Sequence, residues 1–218
     1  MKRSEINRYI NEAIAFFEDR SFYLPEWIRW TPETWHAQEE YCEEIIQNRL
    51  GWDVTDFGKG HFFKEGLTLV TLRNGNIVRD RKPYCEKIMM VRENQVTPVH
   101  FHWKKMEDII NRGGAALCMR LWNAGDGEAL SDKDCLVRID GVKRTVKAGD
   151  VLCLDPGQSI CFEPYMYHTF WAEGGDCLVG EVSTINDDHN DNRFYEDLGR
   201  FSLIEEDVPA EFLLCNEY

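Results

Sequence analysis

The sequence lacks an apolar run long enough to cross a bilayer, so no helical membrane span is expected within it. Its first residues, Met1-Lys2-Arg3-Ser4-Glu5, lead into charged amphipathic sequence rather than an apolar core with a small-residue cleavage site, and no signal peptide is expected. Positive charge is also scarce. Lys plus Arg number 25 against 39 Asp plus Glu, a formal net charge of -14, which makes nucleic acid a poor partner. The eight cysteines include no C-x-x-C pair and lie scattered, several inside apolar strand-like segments. That argues against a disulfide framework and for free, buried thiols in a reducing cytoplasm. No repeat, linker or low-complexity tract is present. What the chain has is core: 43% of its 218 residues are hydrophobic, enough for one large β domain with appended helices or for two small domains, of which one domain is favoured.

Periodicity divides the chain in two. Ile6, Tyr9, Ile10, Ala13, Ile14 and Phe17 recur at helical spacing from Ser4, a candidate N-cap, to about Arg20. A second helix is expected from Thr31-Pro32 through Trp35, Tyr41, Cys42 and Ile45 to a stop at Gly51. Beyond His61 the texture becomes short β-rich runs. They lie at 67–72, 77–78, 87–91, 96–102, 116–122, 135–139, 151–154, 159–162, 169–172 and 177–183. Asn74-Gly75 signals a hairpin, and Asp140-Gly141, Asp155-Pro156-Gly157 and Gly174-Gly175 read as punctuation. Strands at this spacing favour a double-sheet jelly roll or small barrel over alternating β-α units.

The chemistry concentrates in Pro98-Val99-His100-Phe101-His102-Trp103-Lys104-Lys105-Met106-Glu107, with His168 far downstream. Alternate side chains of a strand share a face, so His100 and His102 can grip one ion from one side. Glu107 adds an oxygen ligand, and His168 closes a shell suited to Mn, Fe, Co, Ni or Zn. His36, His61 and His189 lack partners at ligand spacing and read as structural or surface residues.

From about residue 90 to 185 the order H-x-H, Glu, Gly149-Asp150-Val151, Pro156-Gly157 and His168 resembles the two cupin motifs, although the glycine often found upstream of the first histidine is absent. The longer strings from His100 to Gly114 and from Glu181 to Asp188, with Asp191-Asn192-Arg193-Phe194, resemble the D-lyxose isomerase family over nearly the whole chain. The resemblance implies a mainly β fold, a cupin jelly-roll barrel with N-terminal helices packed on it. As a single cupin domain, 1–218 would comprise a helical extension (1–58), the barrel (59–200) and a C-terminal segment (201–218). It further implies a manganese-dependent ketol-isomerase that interconverts D-lyxose and D-xylulose, and often D-mannose and D-fructose, through a cis-enediol. His100, His102, Glu107 and His168 match the metal ligands, with Co2+, Fe2+, Zn2+ or Ni2+ as alternatives to Mn2+. A divalent ion held by three imidazoles and one carboxylate keeps the positive charge needed to stabilise an enediolate.

The proton carrier is open between Lys105, whose pKa nearby positive charge would lower, and Glu181, which strand alternation could turn into the barrel. Lys105 reads equally well as a surface lysine in a turn, and Glu181 as a solvent-facing strand residue. Asp187, Asp188, Asp191 and Arg193 form a polar run suited to sugar hydroxyls, although most such runs are solvated loops. Trp103, Phe162, Tyr165, Tyr167, Phe170 and Trp171 read chiefly as barrel core. A small sugar is the expected partner, in a cytoplasmic homodimer with no nucleic-acid or membrane partner. The rival readings are a cupin Fe(II) oxygenase, which would consume oxygen, and a sugar-binding module without turnover. A helix-turn-helix regulator is disfavoured because the N-terminal helices are acidic.

Overall fold

The computed structural model describes residues 1–76, 78–79 and 81–218, and the chain order through them is helical first and then antiparallel β. Helix α1 spans Arg3–Asp19, α2 Pro32–Gln38 and α3 Glu43–Gln47. The strands are β1 (Gly51–Thr55), β2 (Leu67–Arg73), β3 (Tyr84–Val91), β4 (His100–Phe101), β5 (Glu107–Asn123) and β6 (Cys135–Ile139). They continue with β7 (Val142–Val146), β8 (Val151–Leu154), β9 (Ser159–Phe162), β10 (Met166–Thr184) and β11 (Arg193–Phe194). Among the described residues no helix is long and apolar enough to cross a membrane.

The spine is the antiparallel pair β5 and β10, each long enough to serve two walls of a barrel. The C-terminal half of β10 and the N-terminal half of β5 join the row β1-β2-β3-β10-β5-β9-β6-β7. Their other halves pair with β4 and β8. Between these walls lie Leu67, Leu69, Met89, Ile109, Met119, Phe162 and Phe170. On the outer face of β1, β2 and β3, alternation turns Val54, Val70, Ile88 and Met90 toward Ile6, Ile10, Ile14 and Phe17 of α1. These strands are buried on both faces, which is why β2 is buried continuously from Leu67 to Leu72 rather than at alternate positions. Each fully buried side chain of this kind contributes on the order of 1.5–3 kcal/mol before entropy is counted. The architecture is the expected mainly β, cupin-type one with helices on one wall.

Several local expectations fail for identifiable reasons. Helix α1 is capped from Lys2, whose backbone N–H donates to Glu5, while Ser4 donates instead to Asp207. The single helix expected from Thr31 breaks into α2, one 3-10 turn and α3, although Thr31 does cap α2. Gly51 opens β1 instead of closing a helix, so a strand lies inside the stretch 1–58 expected to be helical. Asn74-Gly75 does not form a tight hairpin, because buried Asn74 bonds to the backbone of Asn48 and Asn186 and the connection to β3 runs to Tyr84. Of the expected strand 77–78, Ile77 lies outside the described residues and Val78 sits in a turn.

Gly174-Gly175 does not interrupt the sheet. It falls in a register shift between Glu173, paired with Ala116, and Cys177, paired with Gly114, so that β10 runs on from 166 to 184, and Gly113, Gly114, Gly174 and Gly175 all hold positive φ there. Only His100 and Phe101 of the run 96–102 form a strand, and β7 carries no apolar alternation to announce it, its residues being almost all exposed. The thiols also require a correction. Cys118 on β5 and Cys153 on β8 are directly opposed and form a disulfide, so six cysteines are free rather than eight. Sequence separation hid this pair, which only strand register brings together.

Candidate active site

His100, on β4, stands opposite His168 of β10 in register, and His102 follows on the same face. Ligand nitrogens of the three rings all lie within 4.8 Å of one another. Glu107 opens β5 beneath them, its Oε1 3.1 Å from His168 Nε2 and 3.5 Å from His102 Nε2. Each ring is oriented by a main-chain carbonyl: His100 Nδ1 meets Pro98 O at 2.8 Å, His102 Nδ1 meets Asp191 O at 2.5 Å and His168 Nδ1 meets Met166 O at 3.0 Å. A carbonyl only accepts, so Nδ1 carries the proton and the lone pair of a neutral ring sits on Nε2. Burial, reinforced for His100 by the other two histidines and for His102 by Lys105, pushes both pKa values down and keeps these two rings neutral.

This arrangement fits a metal. His102 Nε2 and Glu107 Oε1 are buried with no hydrogen-bond partner among the described residues. The lone pair of neutral His102 faces the Glu107 oxygen at 3.5 Å, two acceptors without a donor between them. A cation relieves it. Three nitrogens and one oxygen suit a first-row divalent ion, without selecting one.

Beside this cluster lies a wall of buried charge. Lys105 Nζ is 2.6 Å from Glu107 Oε2 and 2.9 Å from Glu181 Oε1. Lys87, cross-strand from Glu181, brings its Nζ to 3.2 Å from the same oxygen and to 2.7 Å from Asn186 Oδ1. Ser183 Oγ adds a contact to that oxygen at 3.3 Å. Glu181 Oε1 is therefore pinned by two ammonium groups and a hydroxyl. Among the described residues nothing engages Oε2, in a side chain that lines the cavity.

Burial disfavours the Lys105 ammonium, but Glu107 and Glu181 outweigh it and raise its pKa. Burial also works against the charges of Glu107 and Glu181, yet Lys105 foremost holds both carboxyls below their ordinary range. The site residues thus stand as an ammonium between two carboxylates.

The remaining expected residues divide. Asp188 lines the cavity, accepting from Asn186 Nδ2 at 2.9 Å and Arg200 Nε at 3.2 Å. Asp187 is exposed and caps a turn by accepting from the backbone of His189 and Asn190. Arg193 pairs with Glu128 at 2.7 Å outside the cavity. The Asp191 carboxylate accepts from the backbone N–H groups of Lys104 and Lys105 at 2.9 and 2.8 Å, and its own carbonyl orients His102. Of the aromatics, Phe162 stacks on the His168 ring with centroids 4.4 Å apart, and Phe170 lines the cavity.

Lys87, Asn192 and Arg200 were not anticipated, and all three line the cavity. Lys87 left one signal, a cation directly before the apolar run Ile88-Met89-Met90-Val91 of its strand, which when buried must find a partner or face a ligand. Arg200 left none, since it comes from an irregular segment beyond β11.

A family model for D-lyxose isomerase matches residues 1–218. A D-lyxose/D-mannose isomerase from Escherichia coli O157:H7 is 50% identical over 223 aligned positions, covering 100% of this chain and 98% of the relative. Its counterpart from Serratia proteamaculans is 49% identical with the same coverage. Among solved structures, Cellulomonas parahominis L-ribose isomerase with L-psicose superposes with a TM-score of 0.63 at 15% identity, covering 94% of this chain and 98% of that one. Acinetobacter sp. DL28 L-ribose isomerase in complex with L-ribose gives 0.63 at 15% identity with the same coverage. At that identity the structures speak for the fold.

Proposed function

The chain belongs to the D-lyxose isomerase family and is an aldose-ketose isomerase, and we propose that it interconverts D-lyxose with D-xylulose and D-mannose with D-fructose through a cis-enediol. His100, His102, His168 and Glu107 would hold a divalent ion, Mn2+ by our reading, which when bound supplies Lewis-acid stabilisation of the charge that builds on the sugar's oxygens.

Glu181 is the proposed base. Its pinned Oε1 fixes the carboxylate, and its unengaged Oε2 is placed to take the proton from C2 and return it to C1, while the O2 proton passes to O1. Lys105, held as an ammonium, does not exchange that proton. It orients Glu181 and steadies negative charge as it develops. Asp188 would accept from a sugar hydroxyl. The observation that carries the reading is this asymmetry of Glu181 next to a metal-ready cluster of three histidines and Glu107.

The test is anaerobic turnover of D-lyxose and D-mannose in deuterated water, with and without added Mn2+. We expect ketose containing solvent deuterium at the carbon that receives the proton, with no need for oxygen. Product free of solvent deuterium would argue for hydride transfer or a fully shielded base, and oxygen uptake would favour an oxygenase. For the assembled state we propose a cytoplasmic homodimer. Exposed Leu136 on β6 and Val142 on terminal strand β7 are apolar surface that a second copy could cover. Sedimentation at assay concentration tests it.

A further inference from the structure

Arg200 reaches the cavity from the segment after β11 and lines it together with the three histidines. Two of its nitrogens have partners. Nη2 is 2.6 Å from Asp53 Oδ2 on β1, and Nε donates to Asp188 Oδ1 at 3.2 Å. The third, Nη1, is buried and has no hydrogen-bond partner among the described residues. A guanidinium presents five donors in a rigid fork, and a charged donor left unpaired in a buried wall is costly unless something supplied from outside accepts from it.

The charge around it selects the class of acceptor. Asp188, held ionised against burial by Arg200 foremost and by Lys87 and Lys105, already takes up one face of the guanidinium, and Asp53, whose pKa burial raises, stands at another. An anionic ligand would meet a carboxylate already in place, so a neutral hydroxyl is favoured. Position selects which hydroxyl. Lys105 Nζ is 3.5 Å from Asn186 Oδ1, Asn186 bonds to Asp188, and Asp188 bonds to Arg200. Two side chains therefore separate Arg200 from the group that attends C1 and C2.

We infer that Arg200 is a specificity-determining residue whose Nη1 donates to a hydroxyl of the sugar beyond C2. This rests on reading the cavity as the sugar site. The side chain is prepared for that contact by Asp53 and Asp188, which hold the fork by two of its nitrogens and leave the third for the substrate.

The experiment compares wild type, Arg200→Met and Arg200→Lys on D-lyxose and on three analogues lacking the hydroxyl at C3, C4 or C5. Metal content and thermal unfolding are measured alongside. Expected is a fall in kcat/KM for D-lyxose of about 10- to 100-fold in Arg200→Met, the range of one charge-assisted hydrogen bond. One analogue should then be turned over equally by wild type and variant, because the bond is already missing there. Arg200→Lys keeps the charge between the two aspartates and should fold normally with an intermediate loss. An equal factor on D-lyxose and all three analogues would overturn the inference, since a structural role does not depend on which hydroxyl is present. Failure of both variants to fold would also overturn it. Wild type inactive on D-lyxose would instead remove the sugar reading beneath it, a result separable from either of these.

Discussion

The two sides of the cavity are built in different ways. The imidazole side is local in sequence: His100, His102, Lys105 and Glu107 come from one short stretch, and only His168 is imported, by direct strand register. Its rings are oriented by main-chain carbonyls, which the fold fixes whether or not neighbouring side chains change. The opposite side is collected from four places, with Lys87 on β3, Glu181 on β10, Asp188 in the loop beyond it and Arg200 further on. Those groups are held by one another through ion pairs. The backbone-held side should therefore fail one function at a time, whereas a change on the side-chain-held side should spread to its neighbours.

The sharpest way to break the contrast is His102→Ala. It removes one of few ligands, so bound metal and activity should both disappear while the chain stays folded. Elemental analysis of the purified variant checks this, and full metal occupancy would show that His102 is no ligand. Glu181→Gln tests the other side. It should keep its metal and bind sugar nearly as before, yet lose about 10²–10⁴ in turnover, the contribution of a positioned acid-base group. Parallel loss of metal in this variant would mean that the two sides are one mechanical unit.

Asp191→Ala sits at the seam, because Asp191 holds the Lys104-Lys105 backbone with its carboxylate and His102 with its carbonyl. Losing the carboxylate should loosen both, weakening metal affinity by about 10- to 100-fold as for other groups that orient ligands. Metal titration of the apoprotein measures it, and unchanged affinity would mean that the backbone alone holds His102.

The same contrast explains what the sequence disclosed. His100, His102 and Glu107 were legible because strand alternation converts spacing directly into shared direction. Helix α1 was legible for a similar reason, its apolar positions recurring at helical spacing. Lys87 and Arg200 were not, because what makes them site residues is strand register and a loop path that no local period encodes. Lys105 was read beside the ion, but the pair of carboxylates that holds it was not, because Glu181 reaches it from β10 through strand register. The glycine pair at 174–175 misled for the converse reason: residues that usually end strands here sit inside one, at a register shift between β10 and β5.

The smallest effect on catalysis should come from the disulfide. Cys118 lies between Leu117 and Met119, both of which point into the barrel core, so Cys118 points to the outer face. Its partner Cys153 is exposed, and neither lines the cavity. The bridge ties β5 to β8 across a sequence separation of 35. Opening it releases a loop of that size in the unfolded chain and should cost about 2–4 kcal/mol of stability. Cys153→Ser should therefore unfold at lower urea, while kcat, KM and metal content stay at wild-type values. Alkylation and mass analysis without reductant first establish whether the pair is oxidised in the purified protein. If Cys153→Ser lost turnover in proportion to its stability, the outer wall would be coupled to the site, and the separation of the cavity from the face that carries Cys118 would fail.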